Sequence, residues 1–132
     1  MMKEVTAARS REVMADDDSV IMVFEGEYDL AAKEQLRAVF DLLTACRRAV
    51  LDFSSVTYID STVLCEMARM HQARAAQGYD RATLVLQNAG ILRLLAVACM
   101  KELFRIVATL DEAVGNDGRQ LSVRHASAFP ET

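Results

Sequence analysis

The tightest constraint on the fold is an alternation of two periodicities. Short apolar runs rich in β-branched and aromatic residues recur along the chain: Val20-Ile21-Met22-Val23-Phe24, Ala49-Val50-Leu51-Asp52-Phe53, Ala82 to Gln87 and Phe104 to Val107. Each has the length of a strand, not a helix. Between them lie longer stretches with apolar residues at helical spacing. Ala32, Leu36, Val39, Phe40 and Leu43 form one stripe while Lys33, Glu34, Arg37 and Asp41 face away. That pattern predicts a helix from Leu30 to about Cys46, capped by Asp29. A second helix is expected from Asp60-Ser61-Thr62 to about Gln77, stopped by Gly78, and a third from Ala89 to about Cys99, capped by Asn88. Thr109-Leu110-Asp111-Glu112 reads as a capping box that opens a short last helix ending at Gly115.

A leading hairpin precedes this series. Glu12 to Ala15 reads as a short strand, and Asp16-Asp17-Asp18-Ser19 is a turn-forming cluster ahead of Val20. The strand at Ala49 to Phe53 is apolar without strict alternation, as expected when both sheet faces are covered. Strands separated by helices require right-handed crossovers and a largely parallel sheet. The expected fold is therefore α/β: a single domain with a mixed, mainly parallel sheet of about four or five strands and helices packed against it. Its limits are residues 12–114, with a lead at 1–11 and a flexible tail at 115–132. The chain shows no internal repeat.

Composition narrows function by exclusion. A chain of 132 residues fits one domain. With 15 Lys and Arg against 19 Asp and Glu, the formal charge is −4, and the longest basic run is Arg47-Arg48. That is no footprint for DNA or RNA. Cys46, Cys65 and Cys99 lie far apart among apolar neighbours, so they are expected to be small buried hydrophobes in a reducing compartment, with neither disulfides nor a zinc knuckle. His71 and His125 lack the company a metal site needs. No cofactor is expected. The N-terminus has no apolar signal core, and Ile91 to Met100 is interrupted by Arg93 and far short of the ~20 residues that span a bilayer. A soluble cytoplasmic protein without membrane insertion follows.

Chemistry concentrates at Asp60-Ser61-Thr62. The first turn of a helix carries amide groups without intrahelical partners and a partial positive charge. A hydroxyl there can cap the helix, which is the ordinary role of such residues, and a phosphate there would be well held. A catalytic serine would need a base within hydrogen-bond reach. His71 is ten residues further along the same helix, roughly 15 Å away, and no P-loop or Gly-x-Ser-x-Gly turn occurs. The chain does not read as an enzyme.

The order of elements, the strand end Gly26-Glu27-Tyr28-Asp29, the apolar strand Val50 to Phe53 and the segment Tyr58-Ile59-Asp60-Ser61-Thr62 resemble the STAS domain. The resemblance is closest to the bacterial anti-sigma-factor antagonists and covers residues 12 to 114. It implies that Ser61, directly after the motif aspartate, is a phosphoacceptor, with Thr62 in the same turn as a second candidate. It also implies an anti-sigma factor with serine-kinase activity as partner: the unphosphorylated antagonist binds it, the phosphorylated one releases it, and a serine phosphatase resets the switch. The docking residues so implied are Glu27, Asp29, Asp60, Ser61, Thr62, Val63 and Met70. One departure is Val63, where the family pattern has glycine, and its branched side chain is expected to narrow the approach to Ser61. That departure favours an alternative, a non-switching STAS scaffold or adaptor in a stress-signalling assembly or beside a lipid-transport ATPase. A small-molecule-sensing STAS domain is a further alternative. The oligomeric state is not written in the residues.

Overall fold

A computed structural model describes residues 9–16, 18–115 and 124–125. Along the chain run β1 (Arg9–Asp16), β2 (Ser19–Tyr28), a 3-10 turn (Leu30–Ala32), α1 (Lys33–Ala45), β3 (Arg48–Ile59), α2 (Ser61–Ala76), β4 (Ala82–Val85), α3 (Ala89–Val97), a second 3-10 turn (Lys101–Leu103), β5 (Phe104–Val107), α4 (Leu110–Gly115) and β6 (Arg124–His125). One sheet collects all the strands in the order β5-β4-β3-β2-β1-β6. β2 through β5 are parallel, whereas β1 pairs antiparallel with both β2 and β6. The expected α/β architecture holds, with six strands in the sheet among the described residues where four or five were expected. The sixth, Arg124–His125, lies inside the stretch assigned to a flexible tail. The remainder of that tail, 116–123 and 126–132, lies outside the described residues, as does most of the lead at 1–11.

The strands extend beyond their apolar runs. β1 begins at Arg9, and β3 continues to Ile59 instead of stopping at Phe53. Ser54 and Ser55 do not end β3, because the strand absorbs the break as a bulge. Pairing shifts between Val23↔Asp52 and Glu25↔Ser55, and the Asp52 carboxylate accepts the Ser54 amide at 3.0 Å. A second shift follows at Gly26, whose φ of 94° is open to glycine, while the Thr57 hydroxyl donates to the Gly26 carbonyl at 3.3 Å. The two irregularities let a long strand keep its apolar side chains facing the helices.

Leu36, Val39, Phe40 and Leu43 of α1 are buried against one sheet face, as their spacing requires. Phe24 sits at the centre of this core. Its ring makes edge contacts with Phe53, Tyr28 and Phe40 at centroid distances of 4.9, 5.7 and 5.9 Å. The buried Tyr28 hydroxyl is bonded to Ser10 Oγ at 3.0 Å and accepts the Glu25 amide at 3.3 Å. The opposite face carries a smaller cluster of Ile21, Val50 and Val85 under Ala113 of α4.

Helix ends follow the residues expected to make them. Asn88 Oδ1 accepts the Ile91 amide, and Thr109 Oγ1 accepts that of Glu112 while Glu112 reaches back to the Ala108 amide. Gly78, at φ 81°, closes α2 with its amide on Ala75 O and that of Tyr79 on Arg74 O. The cysteines depart from expectation. Cys46 is half-buried, while Cys65 and Cys99 are exposed, because each lies on the outward side of its helix or turn.

Candidate functional site

Tyr28 of β2 and Ile59 of β3 are register partners on adjacent parallel strands. The residues that follow, Asp29 and Asp60, therefore leave the sheet side by side, about 5 Å apart by the interstrand spacing. Both turn the chain into a helical segment in the same way. Asp29 Oδ1 accepts the Ala31 amide at 3.0 Å, and Asp60 Oδ1 accepts the Thr62 amide at 2.9 Å. The Asp60 carbonyl accepts the amides of Val63 and Leu64 at 3.1 and 3.3 Å.

Asp60 is thus the N-cap of α2. Neither Ser61 nor Thr62 has that role, and the capping reading of their hydroxyls is corrected. Ser61 is the first residue of the helix and is exposed; Thr62 is half-buried. Glu27 and Asp29 are exposed and Asp60 is half-buried. Two large apolar residues on the same strand ends are also exposed, Leu30 at 66% and Tyr58 at 49%. Tyr58 is the register partner of Glu27, so the two share an outward sheet face. Tyr58 as a surface residue escaped the sequence reading, because Thr57 and Tyr58 are exposed in succession and no strict alternation marks the strand end.

Two expectations about this site are overturned. Val63 is 1% exposed and Met70 is 2% exposed, and both pack into the core between α2 and the sheet. Neither side chain can meet a partner that docks on Ser61. Nor does Val63 narrow the approach to Ser61, since two positions along a helix rotate a side chain by about 200°. The outward stripe of α2 is instead Ser61, Cys65, Arg69 and Gln72.

The helix bearing Ser61 is tied to α1 by a charged cluster. Arg37 of α1 and Arg69 of α2 donate to the two oxygens of the buried Glu66 at 3.1 and 2.7 Å, and Arg69 also reaches Asp41 at 3.2 Å. Burial pushes the Glu66 carboxyl up, but hydrogen bonds from Arg69 and Arg37 and their charges outweigh it and hold the group below the ordinary value of 4.5. A depressed folded-state pKa means that the stabilisation is complete above 4.5 and is lost as pH falls through the folded value. We expect Glu66→Gln to lower stability by about 1–2 kcal/mol at neutral pH and by progressively less as pH falls below 4.5. Urea unfolding of both proteins across that range checks it. Parallel curves would show that the cluster carries no charge-dependent stability.

Among the described residues, no group of three His, Cys, Asp or Glu is placed to hold a metal ion, and no helix is long and apolar enough to cross a membrane.

No protein-family model matches the chain. Solved structures do resemble it. The Bacillus cell-fate determinant SpoIIAA in its phosphorylated form aligns over 83% of this chain and 99% of its own, at 19% identity and a TM-score of 0.66. An anti-sigma factor antagonist from Mycobacterium paratuberculosis aligns over 84% of this chain and 96% of its own, at 18% identity and a TM-score of 0.67. The murine anion transporter Slc26a9 contains a similar region, 23% of its length, matching 86% of this chain at 14% identity and a TM-score of 0.67. The parallel β2–β5 core, the flanking helices and this coverage together give the conclusion that the chain has the SpoIIAA-like STAS fold, the fold of anti-sigma factor antagonists.

Proposed function

We propose that this chain is an anti-sigma-factor antagonist that binds an anti-sigma factor with serine-kinase activity and is switched off by phosphorylation of Ser61. The observation that carries the reading is the placement of Ser61: exposed, first in α2, at the end of the sheet where Leu30 and Tyr58 are also exposed. A phosphate on Ser61 would add about −1.5 to −2 charges at the positive end of a 16-residue helix. The fold tolerates that charge. A partner covering Leu30, Tyr58 and Ser61 does not, because the dianion must shed water next to Asp29 and Asp60. Phosphorylation therefore acts on docking while the domain stays folded, and a serine phosphatase restores the binding form. The protein works in the cytoplasm as a regulator, without catalysis of its own. With Val63 turned into the core, the departure that favoured a non-switching scaffold no longer bears on Ser61.

The test pairs the chain with serine-kinase anti-sigma factors encoded in the same genome. Incubation with kinase and ATP should add one phosphate to the wild-type chain and none to Ser61→Ala. In pull-downs Ser61→Ala should retain the partner, and Ser61→Asp should weaken it by roughly tenfold or more, about 1.4 kcal/mol, with its melting temperature within a few degrees of wild type. A phosphate still taken up by Ser61→Ala would move the switch to Thr62. Undiminished binding by Ser61→Asp, with no phosphate on the wild type, would end the proposal.

A further inference from the structure

The end of the sheet opposite Ser61 holds a cavity of about 490 Å³. It opens where β3, β4 and β5 begin and is bounded by the turn after α2. The twelve residues of β3 separate it from Ser61 by roughly 35 Å. Among the described residues, Arg47, Arg48, Arg81 and Arg105 line it with Asp80 as the acidic one, and Arg48 already has a partner of its own. In a chain of formal charge −4 this is a local inversion of sign.

Register produces the clustering. Val50 pairs with Thr83, and Thr83 with Arg105, so the three side chains share one sheet face. Arg48 precedes Val50 by two residues and falls on that same face by strand alternation, and Arg81, just before β4, lines the same cavity. Beneath the wall, the buried guanidinium of Arg74 donates to the carbonyls of Arg47 and Asp80 at 2.9 and 3.1 Å, which fixes the rim and adds positive charge from below. The one acid is partly engaged already, since Asp80 Oδ1 accepts the Arg81 amide at 3.0 Å.

Arg105 supplies the second observation. Its Nη2 is shielded from solvent and has no hydrogen-bond partner among the described residues. A buried guanidinium N–H without an acceptor is costly, and positive side chains gathered around one cavity repel each other. An anion with several acceptor oxygens in the space offsets the repulsion, and a turn of the Arg105 side chain, itself only half-buried, brings Nη2 to it. The volume lies in the range of small-ligand sites, but the lining is charged where such sites are mostly apolar, so the occupant must itself be multiply charged. Planar guanidinium forks match the paired oxygens of phosphate groups. A nucleic acid is disfavoured because the basic residues form one concavity and no extended stripe.

We propose that this cavity binds a small phosphate-bearing anion, held by Arg105 and Arg81 with Arg47 and Arg48 at its rim. The site is separate from the Ser61 surface and does not depend on the reading given to it.

Inorganic pyrophosphate is the probe, titrated calorimetrically into the full chain at low ionic strength. Saturable binding is expected, equal in wild type and Ser61→Ala. Arg81→Gln and Arg105→Met should each weaken it by about tenfold or more. Raising the salt from about 20 to about 200 mM should weaken it further. Without ligand, Arg105→Met should melt no lower than wild type, because it removes an unpaired buried donor, whereas a residue that merely supports the fold would lower it. Arg81 is exposed, so Arg81→Gln keeps the test sound if Arg105→Met misfolds. The proposal is overturned by absence of saturable binding, by unchanged affinity in Arg81→Gln, or by citrate binding more tightly than pyrophosphate, which would assign the cavity to carboxylates.

Discussion

Replacing Arg74 with methionine is expected to remove about 3–5 kcal/mol of unfolding free energy, read from urea titrations at neutral pH. Arg74 is 2% exposed, and no carboxylate pairs with its guanidinium among the described contacts. Its partners are backbone carbonyls. Nη1 donates to Leu43 O at 3.0 Å and to Cys46 O, Nη2 donates to Arg47 O and Asp80 O, and the ring of Tyr79 lies 5.4 Å from the guanidinium carbon. Burial pushes its pKa below the ordinary arginine value, against smaller opposing effects of Cys46, Tyr79 and Asp80. A guanidinium nonetheless stays charged at any pH at which the protein is handled.

The arrangement works because α1 ends without a glycine cap. Its C-cap is Cys46 in extended conformation, which leaves carbonyl groups and the negative end of the helix dipole unsatisfied. Arg74 reaches over from α2 to satisfy them. Methionine fills similar volume but takes the guanidinium donors from four carbonyls; Leu43 O keeps the Cys46 amide at 3.4 Å, and each of the three part-buried others carries a penalty of up to about 1–3 kcal/mol unless water enters. Arg74→Lys keeps the charge but offers its donors from one nitrogen, which cannot serve both pairs of carbonyls, so an intermediate loss is expected. A methionine variant within about 1 kcal/mol of wild type would show that water replaces the guanidinium freely, and that α1 needs no cap from its neighbour.

Phe24→Ala is the second large effect, with an expected loss of about 3–5 kcal/mol. Phe24 is fully buried and touches three aromatic rings contributed by α1, β2 and β3. Truncation removes the apolar transfer term and leaves a cavity that rigid rings cannot collapse into. The loss should propagate. Tyr28 rests on Phe24 and stands directly before Asp29 and Leu30, so the variant should also loosen the surface beside Ser61. Hydrogen exchange would show this as faster exchange of the Ala31 amide, which is bonded to Asp29. Phe24→Leu, which keeps most of the volume, should lose about half as much and leave Ala31 protected. A small loss for alanine with no change at Ala31 would mean that the aromatic cluster packs independently of the strand end.

The residues that announce themselves in the sequence are those whose structural partners lie within one turn. Asn88 and the Thr109–Glu112 pair cap helices through amides three or four positions away, whereas at α2 the residues pointed to the Ser61 and Thr62 hydroxyls and the structure chose Asp60. Gly78 closes α2 on residues of that helix. The stripe of α1 is legible because helical spacing alone puts Leu36, Val39, Phe40 and Leu43 on one side. For the same reason, the hydroxyl of Ser61 is recognisable as standing at a helix start.

Arg74 gives no such signal. Its carbonyl partners in α1 and after it lie 27 to 31 positions upstream, and its own neighbours in sequence are unremarkable. Glu66 is likewise a charged residue on a helix until Arg37, 29 positions away, is brought against it. The inward turn of Val63 and Met70 and the outward turn of Cys65 depended on which side of α2 meets the sheet, and α2 is only weakly amphipathic in its residue pattern. The clustering of Arg48, Arg81 and Arg105 required the register of three strands.

The sequence by itself determined the order of strands and helices, the stop of α2 at Gly78, the caps of α3 and α4 and the position of Ser61 at the start of α2, because those features depend on dihedral preference, short-range hydrogen bonds and local periodicity. Only the tertiary structure decided which polar residues are buried, which apolar ones are exposed and which charges share a cavity. Those outcomes depend on chain segments distant in sequence being pressed together, and the energy of a charge or an apolar surface is set by what packs against it.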